Sequence, residues 1–158
     1  MPDAEPPIGR LAWYATVRAH ARVFDALERE VEAATGMPMA WYDVLVNLYL
    51  APGHAMRMSE LADRVIMSRS WLTRRVDQLV AAGLVERCSS VDGDGRGVRA
   101  RLTREGRRAF VRMERVHARM VDELVARHLS PSDARVIARA MERVGGGAAG
   151  PAPTAGPR

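Results

Sequence analysis

The hydrophobic period of this chain changes once. From Ile8 to Ala82, and again from Thr103 to Val144, apolar residues recur in steps of three and four, the spacing of one helix face. Only between Leu84 and Leu102 does this spacing lapse, and there Val98, Ala100 and Leu102 recur in steps of two. That single switch confines the chain to a mainly α fold with a small β-hairpin. The first helix is expected from about Ile8 to Ala34, with Leu11, Tyr14, Val17, Ala21, Phe24, Leu27 and Val31 in one stripe. Thr35-Gly36 and Pro38 end it. The second covers about Met39 to Leu50, with Trp41, Val44, Leu45 and Leu48 on one side, and Ala51-Pro52-Gly53 stops it.

A short third helix is read from Ser59, as its N-cap, to Val65, with Glu60 suiting the positive end of the helix dipole. Ile66-Met67 makes a tight turn. Ser68 then caps a fourth helix, Arg69 to Ala82, whose inward face is Leu72, Val76, Leu79 and Val80, and Gly83 closes it. Leu84–Ser89 pairs with Val98–Leu102, where Val98, Ala100 and Leu102 share one face and Arg99 and Arg101 the other; the polar, glycine-rich stretch Val91–Gly97 is the hairpin tip. Thr103 caps a fifth helix to about His128 with the stripe Phe110, Met113, His117, Met120, Leu124. Ser130-Pro131-Ser132-Asp133 starts a sixth, carrying Val136, Ile137, Ala140, Met141 and Val144.

All 24 basic residues are arginine. From Arg57 to Arg108 there are twelve arginines against seven acidic residues; the rest of the chain balances, so the whole excess of +5 lies in the middle third. A localised positive field suits a polyanion, although an arginine-rich soluble surface has the same composition. One cysteine, Cys88, excludes an internal disulfide and a cysteine-based zinc site, and is read as a small buried hydrophobe. His20, His54, His117 and His128 have no metal-ligand spacing, and there is no nucleophile elbow, phosphate loop or HExxH. No catalytic residue, metal or cofactor is therefore expected. No apolar run is long enough to span a bilayer, and the acidic, proline-rich N-terminus lacks the build of a signal peptide, so a cytoplasmic protein is expected.

Helix, turn, helix and a hairpin with a basic tip is the winged helix-turn-helix plan. In that plan the N-terminal residues of the second helix meet base edges in the major groove. Here they are Arg69, Ser70, Thr73 and Arg74, with Ser68 at the cap and Arg75 on the flank. Arginine pairs bidentately with guanine, and Ser or Thr bonds bases or phosphates. A solvated polar helix face is the bland alternative. The long apolar stripes of the first, fifth and sixth helices need cover, which a second copy of the chain supplies more simply than packing among themselves.

At this point the sequence resembles the MarR-type transcriptional regulators. The resemblance rests on Met58–Val65, Ser68–Leu79, Gly83–Arg87 and Asp94–Gly106 in this order and spacing, and extends over residues 8–144. It implies a homodimer on double-stranded DNA, each subunit reading half of a pseudo-palindromic operator with helix 68–82 in the major groove and wing 91–97 in the minor groove. It also implies that Asp94 pairs with Arg96 and that Arg96 enters the minor groove. The organisation expected is a flexible arm (1–7), a dimerisation helix (8–35), a winged module (36–106), further dimerisation helices (107–144) and a disordered tail (145–158).

Such regulators are commonly repressors released by a small aromatic or anionic effector bound between the dimer helices and the winged module. The matching liners are Trp13, His20, Trp41, Tyr42 and Asp43, with Arg75 and Arg87 as anion partners; ordinary core is the other reading of Trp41 and Tyr42. Two positions depart from the family pattern. Gly93 stands where arginine is frequent, and Trp71 where a small residue is usual. Trp71 either touches a sugar or thymine methyl or folds over the third helix as core. The rival function is a helical dimeric protein-interaction module with a degenerate winged fold.

Overall fold

A computed structural model describes residues 7–65, 68–89 and 98–146. The helices form where the periodicity places them: α1 (Ile8–Thr35), α2 (Tyr42–Leu50), α3 (Met58–Arg64), α4 (Arg69–Ala81), α5 (Arg104–Leu124) and α6 (Pro131–Gly146). Single 3-10 turns, Met39–Trp41 and Ala126–His128, occupy what the sequence reads as the start of α2 and the end of α5. The tail expected from residue 145 begins later, since Gly145 and Gly146 are still helical. The arm (apart from Pro7), the turn at Ile66-Met67, the tip Val91–Gly97 with Gly93, Asp94 and Arg96, and the tail beyond Gly146 lie outside the described residues.

The sheet differs from the expected hairpin by one strand. Ala55–Arg57 forms β1, antiparallel to β3 (Val98–Leu102), which also pairs with β2 (Val85–Ser89), giving the order β1-β3-β2. Three residues are too few to show an alternation. β1 exists because β3 offers it a ladder and because Met56, opposite Ala100, is buried. β1 also moves the start of α3 forward. Arg57 rather than Ser59 is the N-cap, and its backbone N–H donates to Glu60 Oε2 at 3.2 Å.

The core collects one face from each inner element: Val31 of α1, Leu45 and Leu48 of α2, Leu61 of α3, Leu72, Val76 and Leu79 of α4, Ala100 and Leu102 of β3, and Phe110 and Met113 of α5. Each large apolar side chain buried this way stabilises by roughly 1.5–3 kcal/mol before entropy is counted. Val80, read as inward-facing, is instead 37% exposed. It lies a full residue past Leu79, about 100° round the helix. Buried Asn47 is satisfied within α2, its Nδ2 donating to Asp43 O at 2.7 Å and to Asp43 Oδ1 at 3.2 Å.

α5 packs on both α1 and α2 of its own chain. Its stripe is thus largely covered internally: Phe110, Met113 and Met120 are buried and His117 and Leu124 half-buried. The other two stripes are not. On α1 only Leu27 and Val31 are buried, whereas Trp13, Tyr14, Val17 and Phe24 stand exposed. α6 is well capped, with Ser130 Oγ accepting from Asp133 N–H and Asp133 Oδ2 accepting from Ser130 N–H, both at 3.2 Å. Yet it buries no residue, and Val136, Ile137, Met141 and Val144 are exposed.

One joint ties α4, the sheet and α5 together. α4 ends in a Schellman turn: Gly83, at φ +71°, donates to Val80 O, and Leu84 N–H donates to Leu79 O, both at 2.9 Å. Leu84 O then accepts from Thr103 N–H at 3.0 Å. The Thr103 hydroxyl donates to Gly83 O at 2.8 Å and accepts from Gly106 N–H at 2.9 Å, which caps α5. Gly106 is needed because a Cβ there would sit 1.9 Å from Leu84 O, a backbone atom that cannot rotate away. Gly106→Ala is therefore expected to destabilise the fold by roughly 2–3 kcal/mol, the scale of overpacking. Urea denaturation of the two proteins checks this; a loss below about 0.5 kcal/mol would mean that α5 and Leu84 separate easily.

Candidate nucleic-acid interface

The outward face of α4 is built by its cap and its packing. Ser68 Oγ accepts from Trp71 N–H at 3.3 Å, which fixes the start of the helix, and Leu72, Val76 and Leu79 turn into the core. Arg69, Ser70, Thr73 and Arg74 are thereby left exposed. Their side chains are not equivalent. Arg69 Nη2 lies 3.5 Å from Asp63 Oδ1 of α3, and Thr73 donates its hydroxyl proton to Arg69 O at 3.1 Å. Ser70 Oγ is 3.2 Å from Ser68 Oγ. Arg74 is exposed and makes no hydrogen bond or ion pair among the described residues. A fully charged guanidinium held ready on the first half of a capped helix, with hydroxyls beside it, suits a phosphate or a guanine edge.

Arg75 is placed differently from its neighbours. It is half-buried, its guanidinium lies 5.1 Å from the centre of the Trp71 ring, and Nη1 donates to Gln78 Oε1 at 2.9 Å. Trp71 itself packs against the hydrophobic core. Of the two readings of Trp71 the structure supports core, with Arg75 laid over it. Arg87, on β2, pairs with Asp77 of α4 and so braces α4 against the sheet. The second wing strand points Arg101 at Glu86, 3.7 Å away, and brings its Nη2 to 3.4 Å from Cys88 Sγ; Arg99 Nη2 donates to Ala55 O at 3.3 Å. Cys88 is half-buried rather than buried, because it lies on an edge strand of the sheet.

The residues read as effector liners fall into two groups. Trp13 and His20 occupy the exposed part of α1; Trp13 is about 27 Å of helix away from Val31, and His20 stacks on Phe24 at 5.5 Å. They make no ring contact with Trp41 or Tyr42 among the described residues. Trp41, Tyr42 and Asp43 sit together at the start of α2, where the turn Met39–Trp41 packs against α4. Two buried donors are without a partner among the described residues, Trp41 Nε1 in this turn and Arg75 Nε on α4. Two buried N–H groups without acceptors are costly to leave unmade and ask for an acceptor-rich group.

Tyr42 is committed elsewhere. Its hydroxyl donates to Glu114 Oε2 of α5 at 2.5 Å and its ring stacks on His117 at 4.1 Å. Burial first, and the Glu114 bond second, hold the phenol well above its ordinary pKa. Burial likewise pulls His117 below its ordinary value, against the attraction of Glu114, whose Oε2 is 3.9 Å from Nδ1. The sequence marks Tyr42 but gives no signal for Glu114 as its partner, because the pair is 72 residues apart.

A family model described as MarR family matches residues 35–97. The HTH-type transcriptional regulator PrsX of Escherichia coli is 33% identical over 90 residues, 57% of this chain and 53% of that protein, so the chain spans about half the length of the curated relatives it matches. Among solved structures, Sco3205, a MarR family transcriptional regulator from Streptomyces coelicolor in complex with DNA, superposes with a TM-score of 0.82 at 32% identity, covering 87% of this chain and 89% of that one. AbsC, a MarR family transcriptional regulator from the same organism, gives 0.82 at 28% identity, over 87% and 92% of the two chains.

The lowered pKa of His117 has a stability consequence. The unfolded chain takes up a proton as pH falls through the ordinary value of 6.5, whereas the folded chain refuses it until a lower pH. Stability from this group is present above 6.5 and is lost below it. Between neutral and mildly acidic pH, the wild type is expected to lose more stability than His117→Gln. Urea midpoints measured across that range give the comparison, and parallel profiles would refute the assignment.

Proposed function

The chain belongs to the MarR family of transcriptional regulators, and from that premise we propose that it is a homodimeric, effector-responsive repressor reading a pseudo-palindromic operator. α4 enters the major groove, with Arg74 reading a base edge and Ser68, Arg69, Ser70 and Thr73 bonding phosphates and bases. The observation that carries this is the exposed Arg74, without a partner among the described residues, on a helix packed and capped from behind. The wing 91–97, with Asp94 steadying Arg96, is assigned to the adjacent minor groove. Such a protein acts in the cytoplasm, on the chromosome; among the described residues no helix is long and apolar enough to cross a membrane.

The second copy covers the two apolar faces that the chain leaves open, Trp13, Tyr14, Val17 and Phe24 on α1 and Val136, Ile137, Met141 and Val144 on α6. Holding two winged modules at a fixed separation sets the half-site spacing. The effector is a small aromatic anion seated at Trp41, Asp43 and Arg75, where Trp41 Nε1 and Arg75 Nε donate to it. Because Arg75 is on α4 and lies over Trp71, a ligand there biases the pose of the recognition helix. It acts only as far as its affinity differs between the two poses.

Arg74→Ala is expected to weaken operator binding by about 1–3 kcal/mol while leaving random-sequence DNA nearly unaffected. Affinity should fall with salt at a slope of about −0.9 per phosphate neutralised. Fluorescence anisotropy with a site selected from a random pool measures both. An equal loss on random DNA would reassign Arg74 to the backbone, and no binding at low salt to any selected duplex would leave the protein-interaction module as the better reading. Sedimentation of the full chain should give a dimer, and Val136→Glu/Ile137→Glu a monomer with an intact circular dichroism spectrum; a monomeric wild type would remove the proposed half-site geometry.

A further inference from the structure

α5 treats its arginines in two ways. Near its C-terminus, Arg119 is neutralised twice, by Glu30 of α1 at 2.8 Å and by Glu123 at 3.5 Å. Near its N-terminus, Arg104, Arg107, Arg108 and Arg112 recur at helical spacing on one face, with one carboxylate among them. Glu105 lies 3.7 Å from Arg108 and 3.5 Å from Arg112, while Arg104 and Arg107 have no partner among the described residues. The face therefore carries a local excess of three positive charges, at the end of the helix whose dipole is itself positive. Like charges this close repel one another, and nothing in the packing requires them.

The face borders a shallow, open depression of about 620 Å³, lined by these four arginines and Val111 together with Tyr49, from the last turn of α2, and His54. The aromatic side is fixed. Tyr49 packs tilted against Phe110 at 4.5 Å and stacks on His54 at 5.2 Å. His54 is held in a left-handed conformation, φ +54°, unusual for a residue with a side chain, and its Nδ1 donates to Tyr49 O at 2.8 Å. That bond leaves Nε2 without a partner among the described residues. A merely solvated cationic helix face has no pair of stacked rings beside its charges.

We propose that this depression binds a nucleotide, its base against the Tyr49–His54 pair and its phosphates across Arg104, Arg107, Arg108 and Arg112. A planar ring matches the aromatic pair, and only a group with several anionic oxygens answers several guanidiniums along one helix face. The depression includes none of the residues assigned to DNA or to the effector at Trp41. It therefore goes beyond the regulator reading, and its test needs no operator.

Titration calorimetry on the full chain without DNA, at low salt, uses ATP, GTP, adenosine and inorganic triphosphate. At least one nucleotide is expected to bind saturably, with adenosine and triphosphate each about tenfold weaker or more. Arg104→Ala/Arg107→Ala, which removes two exposed and unpaired side chains, should reduce nucleotide affinity at least about tenfold without moving the thermal midpoint. His54→Asn, which tolerates the left-handed backbone, should weaken nucleotide more than triphosphate. No saturable binding of either nucleotide, binding untouched by the double variant, or triphosphate binding as well as nucleotide would each overturn the proposal. So would loss of affinity for duplex DNA in the double variant with no nucleotide bound by the wild type, which would make the face a backbone-contact surface.

Discussion

The hydroxyl of Thr103 is the contact on which the arrangement of this molecule turns. It accepts from Gly106 N–H and so starts α5, and it donates to Gly83 O at the end of α4. The same residue's backbone N–H bonds Leu84 O, which belongs to the approach to β2. Recognition helix, sheet and long helix are thus indexed to one side chain. The near-contact of Gly106 with the Leu84 carbonyl closes the joint from the other side. The direction of α4 is inherited from this joint, and a motion of α5 has a short route to α4 through it.

The helices were legible in the sequence because their information is local. Caps such as Ser68, Thr103 and Ser130, the glycine after α4 and the three-four spacing of leucines and valines act within a few residues. Exposure of Arg69, Ser70, Thr73 and Arg74 followed, since a helix whose inward face is known has its outward face fixed too. What the sequence missed is pairing at a distance. β1 is held by β3, some 44 residues on, and has too few residues to carry a pattern of its own. The Tyr42–Glu114 bond and the Asp77–Arg87 brace have the same character. Boundaries moved for a related reason: Arg57 displaced Ser59 as a cap because the strand before it had already set the backbone.

The uneven burial of the apolar stripes carries a second lesson. Three long stripes suggest by themselves one partner chain for all of them. In the structure α5 is satisfied mostly at home, by α1 and α2, and the unmet demand is confined to the exposed part of α1 and to α6. Periodicity reports that a face must be covered; it does not report by what. The residues read as effector liners show the same limit: Trp41 and Asp43 are neighbours by sequence, whereas the packing of α4, which carries Arg75, on the turn before α2 is set by the fold.

The way α4 ends has a bearing on how the molecule is made. Its C-terminal carbonyl at Gly83 and the carbonyl of Leu84 find their partners in Thr103, which the ribosome adds later, after the whole hairpin. Until then α4 has its own turn and its packing on α2 and α3, but the Gly83 and Leu84 carbonyls lack their partners and Leu84 has no α5 to lie beneath. Closure of this joint is accordingly a late event in synthesis, and a chain that stalls between β2 and β3 would present the end of α4 unfinished to the quality-control machinery.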